Sequence, residues 1–193
     1  MLIDELMPRF DRSKVETVIV EAEPARVYAA VVEADLMQAY KGSPTMRALF
    51  AARGAPSAVA RRVRKEPAPP EPVALRLDAL EEEGEWVRLG EDFGKELAFG
   101  AIGRFWGRDI DWETIRAEDF TDFDRPGFGK IAANFSVRSY GIGRSLLTYE
   151  ARTVGTYPPA SRGIKRYWVV VGPGIGIVLR GTLRYIKSLA ERP

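Results

Sequence analysis

Two hydrophobic periods run through the chain, and the places where one gives way to the other mark its elements. Residues 14–22 are β-branched and partly alternating, with Val15, Val18, Ile19 and Val20 among them. They predict a first strand. Pro24 then sits where a helix can begin, and Val27, Tyr28, Val31 and Val32 fall at helical spacing through Leu36. A second helix start is read at Ser43-Pro44, with Met46, Leu49 and Phe50 at i, i+3 and i+4 and Gly54 ending the run. Residues 54–72 lose this period. Ala, Arg and Pro dominate, and Pro67, Pro69, Pro70 and Pro72 lie close together. That composition predicts a Pro/Arg-rich loop insertion over 54–72, with a short helical piece around 59–63.

Order resumes at Leu75. Asp78 is placed to cap a short helix ending near Gly84. Strand-like runs follow over 86–89 and 95–106, and 115–123 reads as holding a short helix. A long strand over 130–140 is joined to a partner over 144–156 by the tight connection Gly141-Ile142-Gly143. Pro158-Pro159 opens a helical region reaching Glu191, read as broken at Gly172-Pro173-Gly174. The order is strand, two helices, antiparallel strands and a long C-terminal helix. It predicts an α+β chain whose sheet buries one face under that helix and leaves the other to solvent. The 193 residues suit one domain spanning 1–193.

Composition narrows the chemistry. Cys is absent, which excludes disulfides, thiol nucleophiles and thiolate metal sites. His is absent too, which excludes Ser-His-Asp catalysis, imidazole metal sites and a histidine switch. Lys and Arg number 29 against 27 acidic residues, a balance that argues against nucleic acid as partner. The longest uncharged run, 167–179, is shorter than the roughly 18 apolar residues of a spanning segment, so no integral membrane segment is expected. The first residues lack a basic stretch followed by an apolar one, and the cytoplasm is the expected location. The sequence leaves room for a homodimer.

The local text resembles the START/Bet v 1-like superfamily, also described as SRPBCC or polyketide cyclase/dehydrase-like. The opening strand runs into Glu23-Pro24-Ala25-Arg26-Val27-Tyr28-Ala29-Ala30, which looks like that family's approach to its first helix. The hairpin from Phe135 to Val154 looks like its last two strands, and the helix from Pro158 like its gripping helix. The resemblance covers nearly the whole chain. It implies a helix-grip fold, in which a curved antiparallel sheet wraps a long C-terminal helix and encloses a cavity. Members bind lipids, polyketides or other hydrophobic molecules, and some are cyclases or dehydratases; fold alone does not choose among these.

Several constellations bear on the choice. Phe99, Phe105, Trp106, Trp112, Phe135, Tyr149, Tyr167 and Trp168 supply large rings suited to an apolar ligand or to an ordinary core. Strand alternation sends Phe99 and Phe105 one way and Trp106 the other. Glu150 and Arg152 share a strand face opposite Leu147, Tyr149 and Ala151. If they point inward, Glu150 is a candidate base and Arg152 a ligand anchor; if outward, they form surface ion pairs. Asn134, Ser136 and Arg138 read as outward, alternating with inward Ile131, Ala133, Phe135 and Val137. Val169 to Gly176 looks like a phosphate loop but is followed by no second strand and lacks Gly-Lys-Ser/Thr. Basic groups at 61–65 and along the last helix read as solvated surface, and the acidic residues at 109–124 as caps and turns. No metal site and no cofactor are implied.

The reading that results is a domain binding a hydrophobic small molecule (a lipid, polyketide or similar) between sheet and C-terminal helix. Its ligand contacts are Phe99, Phe105, Trp106, Phe135, Tyr149, Arg152 and Trp168. The alternatives are a cyclase or dehydratase using Glu150 or Tyr149 for proton transfer, and a filled-core interaction module with no ligand.

Overall fold

A computed structural model describes residues 1–65, 75–81, 83–107 and 110–192. The elements run α1 (Leu2–Leu6), β1 (Arg12–Val20), α2 (Pro24–Glu33), α3 (Leu36–Gly42) and α4 (Pro44–Arg64). They continue with β2 (Glu83–Gly84), β3 (Trp86–Asp92), β4 (Glu96–Arg104), β5 (Asp111–Glu113) and β6 (Ile115–Arg116). The chain ends with the hairpin β7 (Gly129–Ser139) and β8 (Ser145–Gly155), then α5 (Pro158–Ala190).

The main sheet is antiparallel, in the order β1-β8-β7-β4-β3, with β5 also paired on β4. The β7–β8 register runs unbroken from Gly129↔Gly155 to Ser139↔Ser145. Gly141 and Gly143 turn the hairpin at φ of 78° and 68°, a left-handed region that glycine enters without strain. On the concave face Leu97, Phe99, Phe135, Leu147 and Tyr149 pack against Leu179, Leu183 and Ile186 of α5 and Val27 and Val31 of α2. Pro24 at the first helical position starts α2 at the predicted place. A curved sheet gripping one long helix is the helix-grip arrangement.

Three expectations need correction. First, α5 is continuous through Gly172-Pro173-Gly174 rather than broken there. Pro173 removes one backbone donor and leaves the Val169 carbonyl without its usual helical partner, but Val169 stands on the solvent side, where water can take that carbonyl. Gly174 serves close packing: a Cβ there would come within 2.7 Å of Leu49 on α4. Second, the segment expected as a loop from residue 54 is helical as far as Arg64. Its alanines favour helix strongly enough to carry the chain past Gly54. The prolines Pro67, Pro69, Pro70 and Pro72 lie outside the described residues.

Third, the convex face of the sheet is not left to solvent. α1 and the stretch from Ile115 to Phe128 cover it, with Ile3, Met7, Ile102, Phe120 and Phe128 forming a second small core. Asn134 and Ser136 do point outward, as alternation predicts, yet both are buried beneath this layer.

Candidate functional site

A cavity of about 290 Å³ opens where the sheet, α4, α5 and the strand β5 meet. Ile131 and Ala133 of β7 and Tyr149, Ala151 and Thr153 of β8 form its floor. Trp168, Val171, Ile175 and Val178 of α5 form the opposite wall. Trp86, Phe105 and Trp112 close one side, and Leu49, Phe50 and Ile110 stand at the mouth, with Phe50 and Ile110 exposed. Among the described lining residues none carries a charge.

The rings hold one another in place. Tyr149 stacks on Phe135 with centroids 4.1 Å apart, and Phe135 stacks in turn on Phe99 at 6.0 Å. Trp112 meets Trp86 edge to face at 5.5 Å and stacks with Phe105 at 6.1 Å. Rings locked in this way need little further ordering when a ligand arrives.

Three of the described lining residues carry a side-chain polar atom of note. The Trp168 indole Nε1 and the Thr153 Oγ1 are buried, and neither has a hydrogen-bond partner among the described residues. The Tyr149 hydroxyl makes no hydrogen bond to another described residue, and burial alone pushes the phenol above its ordinary pKa. At neutral pH this phenol remains protonated. It can donate or accept a hydrogen bond but is a poor base.

The predicted contacts thus divide. Phe105, Tyr149 and Trp168 line the cavity. Phe99 and Phe135 lie one layer behind, buttressing Tyr149. Trp106 faces away from the cavity and lies over the backbone of Gly129 and Gly163, where an added Cβ would strike its ring at 2.8 and 2.7 Å.

Glu150 and Arg152 are on the far face of the sheet, which corrects their assignment to the ligand and to proton transfer. Arg152 Nε donates to Glu150 Oε1 at 2.6 Å, and its Nη atoms donate to the carbonyls of Ile3 and Met7 and to Asp4 Oδ1 at 2.7 Å. Burial works to lower the Arg152 pKa, but the carboxylates of Glu150 and Asp4 outweigh it and leave the guanidinium more firmly charged than usual. The pair fastens α1 to the sheet.

Sequence reasoning missed Trp86, Thr153 and the α4 residues Leu49 and Phe50. Thr153 was within reach, because continuing the Tyr149–Ala151 alternation by two residues arrives at it. Trp86 depends on its pairing with Ala101 across the sheet, a register the sequence does not display.

No family model matches the chain, and no curated protein matches it. Solved structures similar to it include a Thermus thermophilus protein, 10% identical over 93% of this chain and 97% of that one, with a TM-score of 0.38. Another is the Zhui aromatase/cyclase from a Streptomyces species, 12% identical over 94% of each chain, at 0.37. A third is an Arthrobacter aurescens protein, 11% identical over 94% of this chain and 87% of that one, at 0.41. Likeness this distant carries no conclusion about residues or chemistry. On the geometry of the chain itself, what stands is the helix-grip fold.

Proposed function

We propose that the protein binds a neutral, mostly apolar small molecule in this cavity, with a carbonyl or hydroxyl group of the ligand held by Trp168, Thr153 and Tyr149. The observation that carries this reading is an apolar cavity whose described lining includes Trp168 and Thr153, each with a buried side-chain polar atom that lacks a hydrogen-bond partner among the described residues. Leaving a buried polar group unpaired costs about 1–3 kcal/mol, which a ligand with a matching group recovers. Affinity comes mainly from burying apolar surface, at about 25 cal/mol per Å² before ordering costs. The described walls carry no charge to offset the desolvation of an ionised ligand, which favours a neutral one. A cavity beside α5 also speaks against a filled-core module. The acid/base alternative loses its carboxylate, because Glu150 stands on the far face. The cytoplasm is the setting we propose.

The protein carries its own reporter. Of its four tryptophans, Trp86, Trp112 and Trp168 line the cavity. Titration with prodan, a neutral naphthyl ketone, should quench tryptophan emission and shift the probe's emission to the blue, saturating at one site. Native mass spectrometry of freshly purified protein should show an adduct of a neutral organic molecule. Silence in both experiments would refute the reading.

A further inference from the structure

The cavity is bounded in part by two helices with an unusual charge distribution. α4 has 21 residues and α5 has 33, and neither contains a single Asp or Glu, although 27 of the chain's 193 residues are acidic. Both contain several basic residues. On α5 the solvent-facing strip has an apolar centre: Val169 and Val170 are 78% and 80% exposed, directly after the cavity residue Trp168. One and two turns before them on the same strip stand Arg166 and Arg162, both exposed and without an ion pair to a described residue. The neighbouring α4 adds the exposed ring of Phe50 and the exposed Arg47.

We infer that this face docks on an anionic lipid bilayer, with Val169, Val170 and Phe50 entering the headgroup layer and Arg162, Arg166 and Arg47 meeting lipid phosphates. Two adjacent bare valines gain nothing from water, and a nucleic-acid backbone offers nothing to receive them. An interface of apolar chains beneath anionic groups satisfies both the valines and the arginines. α5 is apolar and long enough to cross a membrane on length and composition, but its inner face is packed on the sheet, so it meets a bilayer lengthwise. The docking face does not depend on what fills the cavity.

The test is flotation of the full chain with phosphatidylcholine vesicles, with and without phosphatidylglycerol. Binding is expected on the anionic vesicles, weak on the neutral ones, and reduced by added salt. The double variant Arg162→Glu/Arg166→Glu should lose at least the roughly fivefold per charge that each arginine contributes near an anionic surface. The double variant Val169→Asp/Val170→Asp should lose binding to a similar degree while melting like the parent, because both side chains are exposed. Prodan titration of the variants separates loss of docking from loss of the cavity. Failure of the parent to float with anionic vesicles would overturn the inference. So would loss in the arginine variant with none in the valine variant, since that reduces the face to a general cation patch. Equal binding to a homopolymeric RNA, indifferent to the valines, would assign the face to nucleic acid instead.

Discussion

The two faces of the main sheet are built from the same strands and handle polar groups in opposite ways. On the convex face Glu96, Asn134, Glu150 and Arg152 are buried or nearly so, and each has partners. Glu96 accepts from Asn134 Nδ2 at 2.5 Å and from the backbone of Leu2 at 3.0 Å and Ile3 at 3.3 Å. Arg152 binds two backbone carbonyls and two carboxylates. On the concave face the buried Trp168 Nε1 and Thr153 Oγ1 have none among the described residues. Burial of a polar residue is therefore a poor sign of function in this protein. Satisfied groups fix α1 to the sheet, whereas Trp168 and Thr153, whose buried polar atoms lack partners among the described residues, belong to the cavity lining.

That contrast can be broken experimentally, and the largest effect belongs to the convex face. Arg152→Met leaves Glu150 and the Met7 carbonyl without their guanidinium donor, and should destabilise the fold by about 3–5 kcal/mol in urea unfolding. The affinity of the folded variant for prodan should be unchanged, because Arg152 is on the far side of the sheet.

Next comes the packing between α4 and α5. Gly174→Ala pushes a Cβ to 2.7 Å from the Leu49 side chain, so Leu49 must repack, at a cost of about 1–3 kcal/mol. Since Leu49 stands at the mouth, prodan affinity should change as well.

On the concave face the pattern should reverse. Trp168→Phe and Thr153→Val each remove an unsatisfied polar atom, so melting temperature should hold or rise slightly. Prodan affinity should fall about five- to tenfold for whichever residue holds the ketone. A stability loss without an affinity loss in both variants would show that these atoms have a partner in solution other than the ligand.

The smallest effect concerns the seam between β1 and α5. Burial pushes the Asp11 carboxyl up, but the Gly155 N–H, Ser161 and Lys165 together hold it below its ordinary pKa. A depressed carboxylate stabilises the fold above the unfolded value of about 3.9 and loses that contribution as pH falls through the folded value. Asp11→Asn should cost about 1 kcal/mol at neutral pH and nothing measurable well below about pH 3, which thermal melts at the two pH values would check.

How much of this was legible beforehand differs between the faces. Alternation along β7 and β8 correctly separated Phe135 and Tyr149 from Asn134 and Glu150, because a strand's parity is written in its residues. What lies on each face is not so written. The layer over Asn134 comes from α1, a helix of five residues too short for a hydrophobic period to reveal. The sequence therefore offers Glu150 and Arg152 as an acid/base pair as readily as a structural clamp. The cavity was legible as a set of aromatics, but its members depended on pairing register, as Trp86 and Trp106 demonstrate. The long helix was legible to its ends, whereas Pro173 was read as a break because propensity is local and its compensation by solvent and by packing on Leu49 is not.

The uninterrupted α5 divides its work along its length. Residues from Leu179 onward serve the central core with α2, while those from Tyr167 to Val178 serve the cavity. Because the two jobs occupy successive stretches of one rod, mutations in the first stretch can reshape the chamber while leaving the second, on which folding depends, untouched. Lineages descended from such a chain are free to reshape the cavity by editing about a dozen neighbouring positions, with the rest of the architecture inherited intact.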